Sequence, residues 1–191
     1  MRIILASKSP RRKEILENLG IDFEIIVADV DENCDINDPK TLVMTIAERK
    51  GRAVLESLAN SAKADTLIIA CDTLVYAGGE FLGKPHDNGD AHRMLKLLSD
   101  NAHEVISGIY LYFKGKEISR AESTKVYFDK MTDSDIQKYI ESGEPRDKAG
   151  AYAIQGKASA YIKGIEGDYF NVVGLPAHLL LKTPKEEFKI E

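Results

Sequence analysis

An aspartate stands inside the most apolar run of the chain, Leu67-Ile68-Ile69-Ala70-Cys71-Asp72-Thr73-Leu74-Val75. A carboxyl in such surroundings is costly to bury unless it is ion-paired, bound to a metal or left protonated. Asp72 lies where a strand of an α/β sheet is expected to end, and ligands collect at the carboxyl ends of such strands. The competing reading is an aspartate that caps a turn. A second constellation is Ser7-Lys8-Ser9-Pro10-Arg11-Arg12, between a short apolar run and a helix start. A helix N-terminus offers unpaired N–H groups and partial positive charge, so it stabilises an anion placed there. The hydroxyls of Ser7 and Ser9 and the guanidiniums of Arg11 and Arg12 add donors suited to phosphate oxygens. A capped helix with solvated arginines is the alternative, and basic residues at that end work against it because they oppose the macrodipole.

Three further positions join these. Lys50 falls near the middle of an otherwise apolar helix face, where its ammonium either snorkels to solvent or meets an acidic or phosphate partner. Lys84 sits in Gly83-Lys84-Pro85, a cation on a rigid turn or a solvated loop lysine. The segment from Ser142 to Gly156 mixes opposed charges, glycines and the amide of Gln155 in a stretch too irregular for a helix; ordered loops of this kind often carry function.

Several standard site patterns fail. Gly156-Lys157 lacks the P-loop companions, since Ala151 and Ala158 occupy the required Gly and Ser/Thr positions. No GxGxxG follows a strand. His86, His92, His103 and His178 form no HExxH or close pair. What remains is acids plus scattered cations, the residue set of metal-assisted phosphate chemistry.

The elements that must position these residues alternate between strand and helix. Ile3–Ala6 reads as a buried strand, with Ser9 as N-cap and Pro10 at the first position of a helix closed by Gly20. Phe23–Val27 reads as a second strand, followed by an acidic loop with Asp29, Asp31, Glu32 and Asp35. Asp38-Pro39 opens a helix to about Leu58, with Leu42, Val43, Ile46, Ala53 and Val54 on one face. Thr66–Cys71 is a strand interrupted at Asp72-Thr73, and Gly78-Gly79 is a hairpin signal. A helix over Asp87–Leu98 precedes two long strands, Glu104–Phe113 and Ile118–Phe128. Thr132-x-x-Asp135 resembles a capping box for a helix ending at Gly143. Short runs and glycines occupy 143–176, and a last helix spans about Ala177–Leu181. The pattern is one α/β body.

Composition bounds the rest. The 191 residues are 43% hydrophobic and 30% charged, an ordinary globular balance for a chain that buries about 70% of its unfolded surface. Lys and Arg total 26 against 31 Asp and Glu, a formal net charge of −5. That balance, with no Trp and no row of aromatics between basic residues, argues against a nucleic-acid partner. Cys34 and Cys71 form no CxxC and fit two free thiols in a reducing compartment. No run approaches the ~18 apolar residues of a membrane span, and no signal peptide is evident, so a cytoplasmic protein without a membrane partner is expected.

Taken together, these segments resemble the Maf nucleotide pyrophosphatases, a family historically called septum-formation inhibitors. The matching pieces are Ala6-Ser7-Lys8-Ser9-Pro10-Arg11-Arg12, Ala47-Glu48-Arg49-Lys50, Asp72-Thr73, Gly83-Lys84-Pro85, the runs Glu144–Tyr152 and Ile154-Gln155-Gly156, and Asn171–Pro176, in family order over essentially the whole chain. The resemblance implies a single domain over 1–191 with an elongated mixed β-sheet, flanking helices and a central cleft, similar to inosine triphosphate pyrophosphatases. It implies hydrolysis of nucleoside triphosphates to a monophosphate and pyrophosphate with a divalent cation, Mg²⁺ or Mn²⁺. Asp72 matches the family's proton acceptor; Arg11, Thr73 and Gln155 match positions tied to base choice in the branch acting on dTTP and UTP. A sister branch acting on 7-methyl-GTP differs at the arginine pair and carries an acid where Gln155 stands. Cys71 occupies a position where a small residue is expected. On this reading Arg12, Lys50, Lys84 and Lys148 neutralise and position phosphates, and Glu32 with Asp72 ligates the metal. A non-enzymatic nucleotide-binding regulator of cell division is the alternative from another class, a pyrophosphatase of 7-methyl-GTP is the alternative within the family, and a homodimer is compatible with the sequence.

Overall fold

The computed structural model describes residues 1–190. Its seven strands form one mixed sheet in the order β2-β1-β3-β5-β6-β7, with β4 paired to β3. The strands are β1 (Arg2–Leu5), β2 (Glu24–Ile25), β3 (Thr66–Ala77), β4 (Glu80–Leu82), β5 (Ala102–Phe113), β6 (Lys116–Phe128) and β7 (Ile162–Glu166). The flanking helices are α1 (Pro10–Asn18), α2 (Pro39–Ser57), α3 (Asn60–Lys63), α4 (Asn88–Leu98), α5 (Asp133–Glu141), α6 (Tyr169–Val173) and α7 (Ala177–Phe188). The chain divides into two compact units. The first holds Met1–Asp72, Ser107–Glu122 and Gly174–Glu191; the second holds Thr73–Ile106 and Ser123–Val173.

In the first unit, β1 pairs in parallel with both β2 and β3. Parallel neighbours need crossover connections, and α1 and α2 lie in those connections. α2 starts where Asp38 accepts the Thr41 N–H at 2.8 Å. Its docking on β5 depends on two glycines. A Cβ on Gly108 would lie 2.5 Å from the Met44 N, so α2 approaches the strand at backbone distance. A Cβ on Gly51 would overlap the Tyr110 ring. These contacts fix the rotation and height of α2, and with them the neighbouring Lys50. Ile4, Ile68, Ala47, Val54 and Tyr110 form the core there.

The second unit packs α4 and α5 over Leu82, Leu95, Leu98, Phe128, Ile136 and Tyr152. α5 begins with a complete capping box, in which Thr132 and Asp135 exchange side-chain and backbone hydrogen bonds. Gly78 and Gly79 both have positive φ, 58° and 84°, as the tight turn between antiparallel β3 and β4 requires.

Four sequence expectations change. β3 runs unbroken for 12 residues, so Asp72 lies inside a strand and not at its end; backbone pairing does not depend on the side chain, and that carboxylate finds a cation, as described below. The second strand shrinks to Glu24–Ile25, because an edge strand has only β1 to hold it. α7 continues past Pro184 to Phe188, where Phe188 packs on Phe113 with ring centroids 5.8 Å apart. The stretch 143–176 contains β7 and α6, whose five-residue lengths leave too few turns or alternations for periodicity to register.

His103 stabilises the second unit in a pH-dependent way. It is 3% exposed, with Nε2 2.8 Å from the Tyr152 hydroxyl and its ring against Phe128. Burial pushes its pKa down from 6.5 to about 4. The unfolded chain therefore takes up this proton first, so the stability is complete above pH 6.5 and is lost as pH falls toward 4. The span corresponds to about 3 kcal/mol. His103→Gln keeps a polar partner for Tyr152 without titrating. Urea unfolding at pH 7 and 4.5 should show the parent losing about 2–3 kcal/mol more than this variant; parallel losses would clear His103 of the effect.

Candidate functional site

The turn between β1 and α1 is organised by Ser7. This serine is 7% exposed, and its Oγ accepts the Ser9 N–H at 3.3 Å and Arg12 Nη1 at 3.0 Å. Arg12 Nε donates to the Gly174 carbonyl at 2.8 Å, which also lies 3.4 Å from Cys71 Sγ. Ser9 occupies the N-cap position, but its hydroxyl makes no capping hydrogen bond, and the first turn holds no acidic residue. The half-buried Arg11 follows in that turn. An N-terminus with that composition repels no anion.

Lys50 links two carboxylates of the first unit. Its ammonium lies 2.7 Å from Asp72 Oδ1 and 2.9 Å from Glu32 Oε1. Lys50 and Asp72 are 18% and 16% exposed at their side chains, Glu32 57%. The lysine on an apolar helix face thus does not snorkel; it neutralises the strand acid and fixes the acidic loop to it. That loop is tied a second time by the next residue back, since Arg49 Nη1 donates to the carbonyls of Asp31 (2.8 Å) and Asn33 (2.9 Å), on either side of Glu32. No local signal marks Arg49 in the sequence, because its partners lie 18 and 16 residues away.

In the second unit, the Gly150 N–H donates to the Gly83 carbonyl at 3.0 Å, which brings the Gly83-Lys84-Pro85 turn against the 144–156 loop. Lys84 is exposed and 3.7 Å from Asp147. Lys148 Nζ donates to the Glu144 carbonyl at 2.7 Å. Gln155 is exposed at the tip of a turn closed by Gly156 N to Ala153 O at 3.1 Å. Thr73 is half-buried, next to Asp72 on β3. Of the sequence-selected residues, the first unit contains Ser7, Ser9, Arg11, Arg12, Glu32, Lys50 and Asp72, and the second Thr73, Lys84, Lys148 and Gln155.

Among the described residues, no group of three or more His, Cys, Asp or Glu is arranged to hold a metal ion. Two carboxylate oxygens already converge on one cation, however, the Lys50 ammonium. A magnesium-like ion needs only one or two protein carboxylates when substrate phosphates and water complete its shell. Asp72 and Glu32 fit that requirement.

An α/β chain that holds a half-buried acid beside a lysine and a second acid, with an arginine-rich helix start, is equipped for phosphate chemistry. The model of the Maf-like protein family matches residues 2–187, and the chain belongs to that family. It is 45% identical over 184 residues to a dTTP/UTP pyrophosphatase of Bdellovibrio bacteriovorus, covering 93% of this chain and 94% of the relative. The dTTP/UTP pyrophosphatase of Alkaliphilus metalliredigens is 46% identical, covering 99% and 97%. That of Caldanaerobacter subterraneus is 44% identical, covering 100% and 91%. Among solved structures, the Staphylococcus aureus Ham1 protein aligns with a TM-score of 0.47 at 15% identity, covering 67% of this chain and 72% of that one. No helix of the described residues is long and apolar enough to cross a membrane.

Proposed function

We propose that this chain is a nucleoside triphosphate pyrophosphatase, a single Maf-like domain over 1–191 that hydrolyses dTTP and UTP, canonical or modified, in the cytoplasm. The relatives named dTTP/UTP pyrophosphatase support the substrate. The observation that carries the chemistry is the Lys50 ammonium shared between Asp72 and Glu32. A triphosphate brings more negative charge than either carboxylate, so Lys50 has reason to turn to a phosphate oxygen when substrate arrives. Asp72 is then released as a base. It takes a proton from the water that forms the new O–P bond at the α-phosphorus, while the α–β bridging oxygen leaves with pyrophosphate. Arg12 at the α1 start, with Lys84 and Lys148, supplies positive charge for the phosphates, and Ser7 and Ser9 supply hydroxyl donors. Asp72 and Glu32 would hold a divalent cation, which when bound polarises phosphate oxygens and neutralises the charge of the departing pyrophosphate. Arg11, Thr73 and Gln155 serve the choice of base. Incubation with dTTP, UTP and purine triphosphates in Mg²⁺ or Mn²⁺ should release monophosphate and pyrophosphate in equal amounts, fastest from the pyrimidines. Release of inorganic phosphate alone, or no turnover of any nucleotide, would sink the reading.

Base choice has its own test at Gln155. An amide donates and accepts together, as the O4 and N3–H edge of uracil or thymine requires. Gln155→Glu keeps the size, loses the donor and turns a carboxylate toward carbonyl acceptors, leaving polar groups unpaired. kcat/KM for dTTP and UTP should fall at least ~10-fold, about 1.4 kcal/mol. A guanine nucleotide, whose N1–H and N2–H₂ can donate to the carboxylate, should lose less. An unchanged ratio of UTP to guanine-nucleotide activity would mean that Gln155 does not read the base.

A further inference from the structure

We propose that Glu144 is a positioning residue for base selection, holding the loop that carries Lys148 and Gln155 in its working shape before a nucleotide binds. The inference rests on the reading of Gln155 as the base-contacting residue. Glu144 Oε1 accepts the Tyr139 hydroxyl of α5 at 2.9 Å, and Oε2 accepts the Lys157 N–H at 3.1 Å. The same Tyr139 oxygen accepts the Ala153 N–H at 3.3 Å. Both ends of the Ile154-Gln155-Gly156 turn are therefore tied, directly or through Tyr139, to one carboxylate. The Glu144 main chain adds a third tie by accepting the Lys148 ammonium at 2.7 Å.

Gly156 gives an independent sign that the carboxylate belongs there. Its φ of −106° is open to any residue, yet a Cβ would overlap Glu144 Oε1 and Cδ. The backbone conformation does not call for glycine, but any side chain at 156 would have to push the Glu144 carboxylate out of this position. Tyr139 is buried, and its phenol is pushed well above its ordinary range, first by burial and then by Glu144, so it remains a donor. A carboxylate that accepts from two separate groups fixes both in direction, and a loop ordered in advance spares the ligand the cost of ordering it. The Glu144 and Tyr139 side chains have no role in the proposed phosphate chemistry, so the effect of loosening them should fall on recognition more than on the chemical step.

The test compares Glu144→Gln with the parent in three ways. Hydrogen exchange of the Ala153 and Lys157 amides in nucleotide-free protein reads the clamp itself, and it should accelerate by about 10-fold or more. Calorimetry with non-hydrolysable α,β-methylene analogues of UTP and GTP reads base preference, and the affinity ratio should shift against UTP by about 5–20-fold. Where the parent turns over UTP, KM should rise with kcat within about 3-fold. In a Gln155→Ala background, Glu144→Gln should leave the affinity ratio where Gln155→Ala alone puts it. Faster exchange with an unchanged ratio, or an equal shift in the Gln155→Ala background, would overturn the proposal. A parent that binds both analogues but hydrolyses no triphosphate would sink the enzymatic reading alone, because the binding ratio still decides the role of Glu144. If Glu144→Gln does not fold, Tyr139→Phe, which removes one hydroxyl, undergoes the same measurements with the same expected directions.

Discussion

Asp72→Asn should lower kcat for dTTP by about 10²–10⁴-fold, the size of effect that a lost general base produces. The substitution keeps the backbone pairing of β3 and the volume of the side chain. It also keeps an oxygen that can accept from Lys50, and Lys50 keeps Glu32 at 2.9 Å. The folded state consequently loses one charge from a three-member cluster and no packing, and stability should change by no more than about 1 kcal/mol. Urea unfolding establishes the second point before the assay is read. A folded variant with turnover within a few-fold of the parent would remove Asp72 as the base. Loss of turnover together with loss of the fold would leave a purely structural Asp72, and the stability measurement tells the two apart.

The difference between what could and could not be read from the sequence follows the range of the forces involved. The capping box at Thr132 and Asp135, the N-cap at Asp38 and the Gly78-Gly79 turn are decided by residues a few positions apart, and all three were legible. β3 was not legible as one strand, because an aspartate depresses β propensity locally while its compensation comes from Lys50, 22 residues away. The last turns of α7, beyond Leu181 and past Pro184, were not legible either, because the packing of Phe188 on Phe113 that holds them is distant in sequence. In the site, helical periodicity was enough to set Lys50 in the middle of an apolar face and to raise the question of its partner. The answer required the docking of α2 on β5, set at Gly108 and Gly51 by contacts with residues distant in sequence. Glu144 carries almost no local signal. Its partners Tyr139 and Lys157 are 5 and 13 residues away, and its one trace is a glycine that the backbone conformation does not demand.

Lys50→Met carries the other large effect, and here the structure changes the expectation. A lysine that merely snorkelled from an apolar helix face could be replaced by methionine with neutral or improved stability. Lys50 instead neutralises Asp72 and Glu32 at once, so methionine would leave two carboxylates facing a shared, partly buried space with no cation between them. Like charges so placed repel, and the strand acid loses its charged partner. The expected loss is about 1–2 kcal/mol at neutral pH, reduced from the figure for a fully buried pair because Glu32 remains in contact with solvent. On activity, the variant lacks the cation that neutralises phosphate charge and frees Asp72 on substrate arrival, and kcat/KM should fall about 10²–10³-fold. A double substitution separates the two consequences. Lys50→Met with Glu32→Gln relieves the repulsion and should recover much of the lost stability, while turnover stays low because the phosphate partner is still missing. Recovery of turnover in the double variant would mean that Lys50 acts only by holding the two carboxylates together, and a stable, active single variant would remove it from the chemistry altogether.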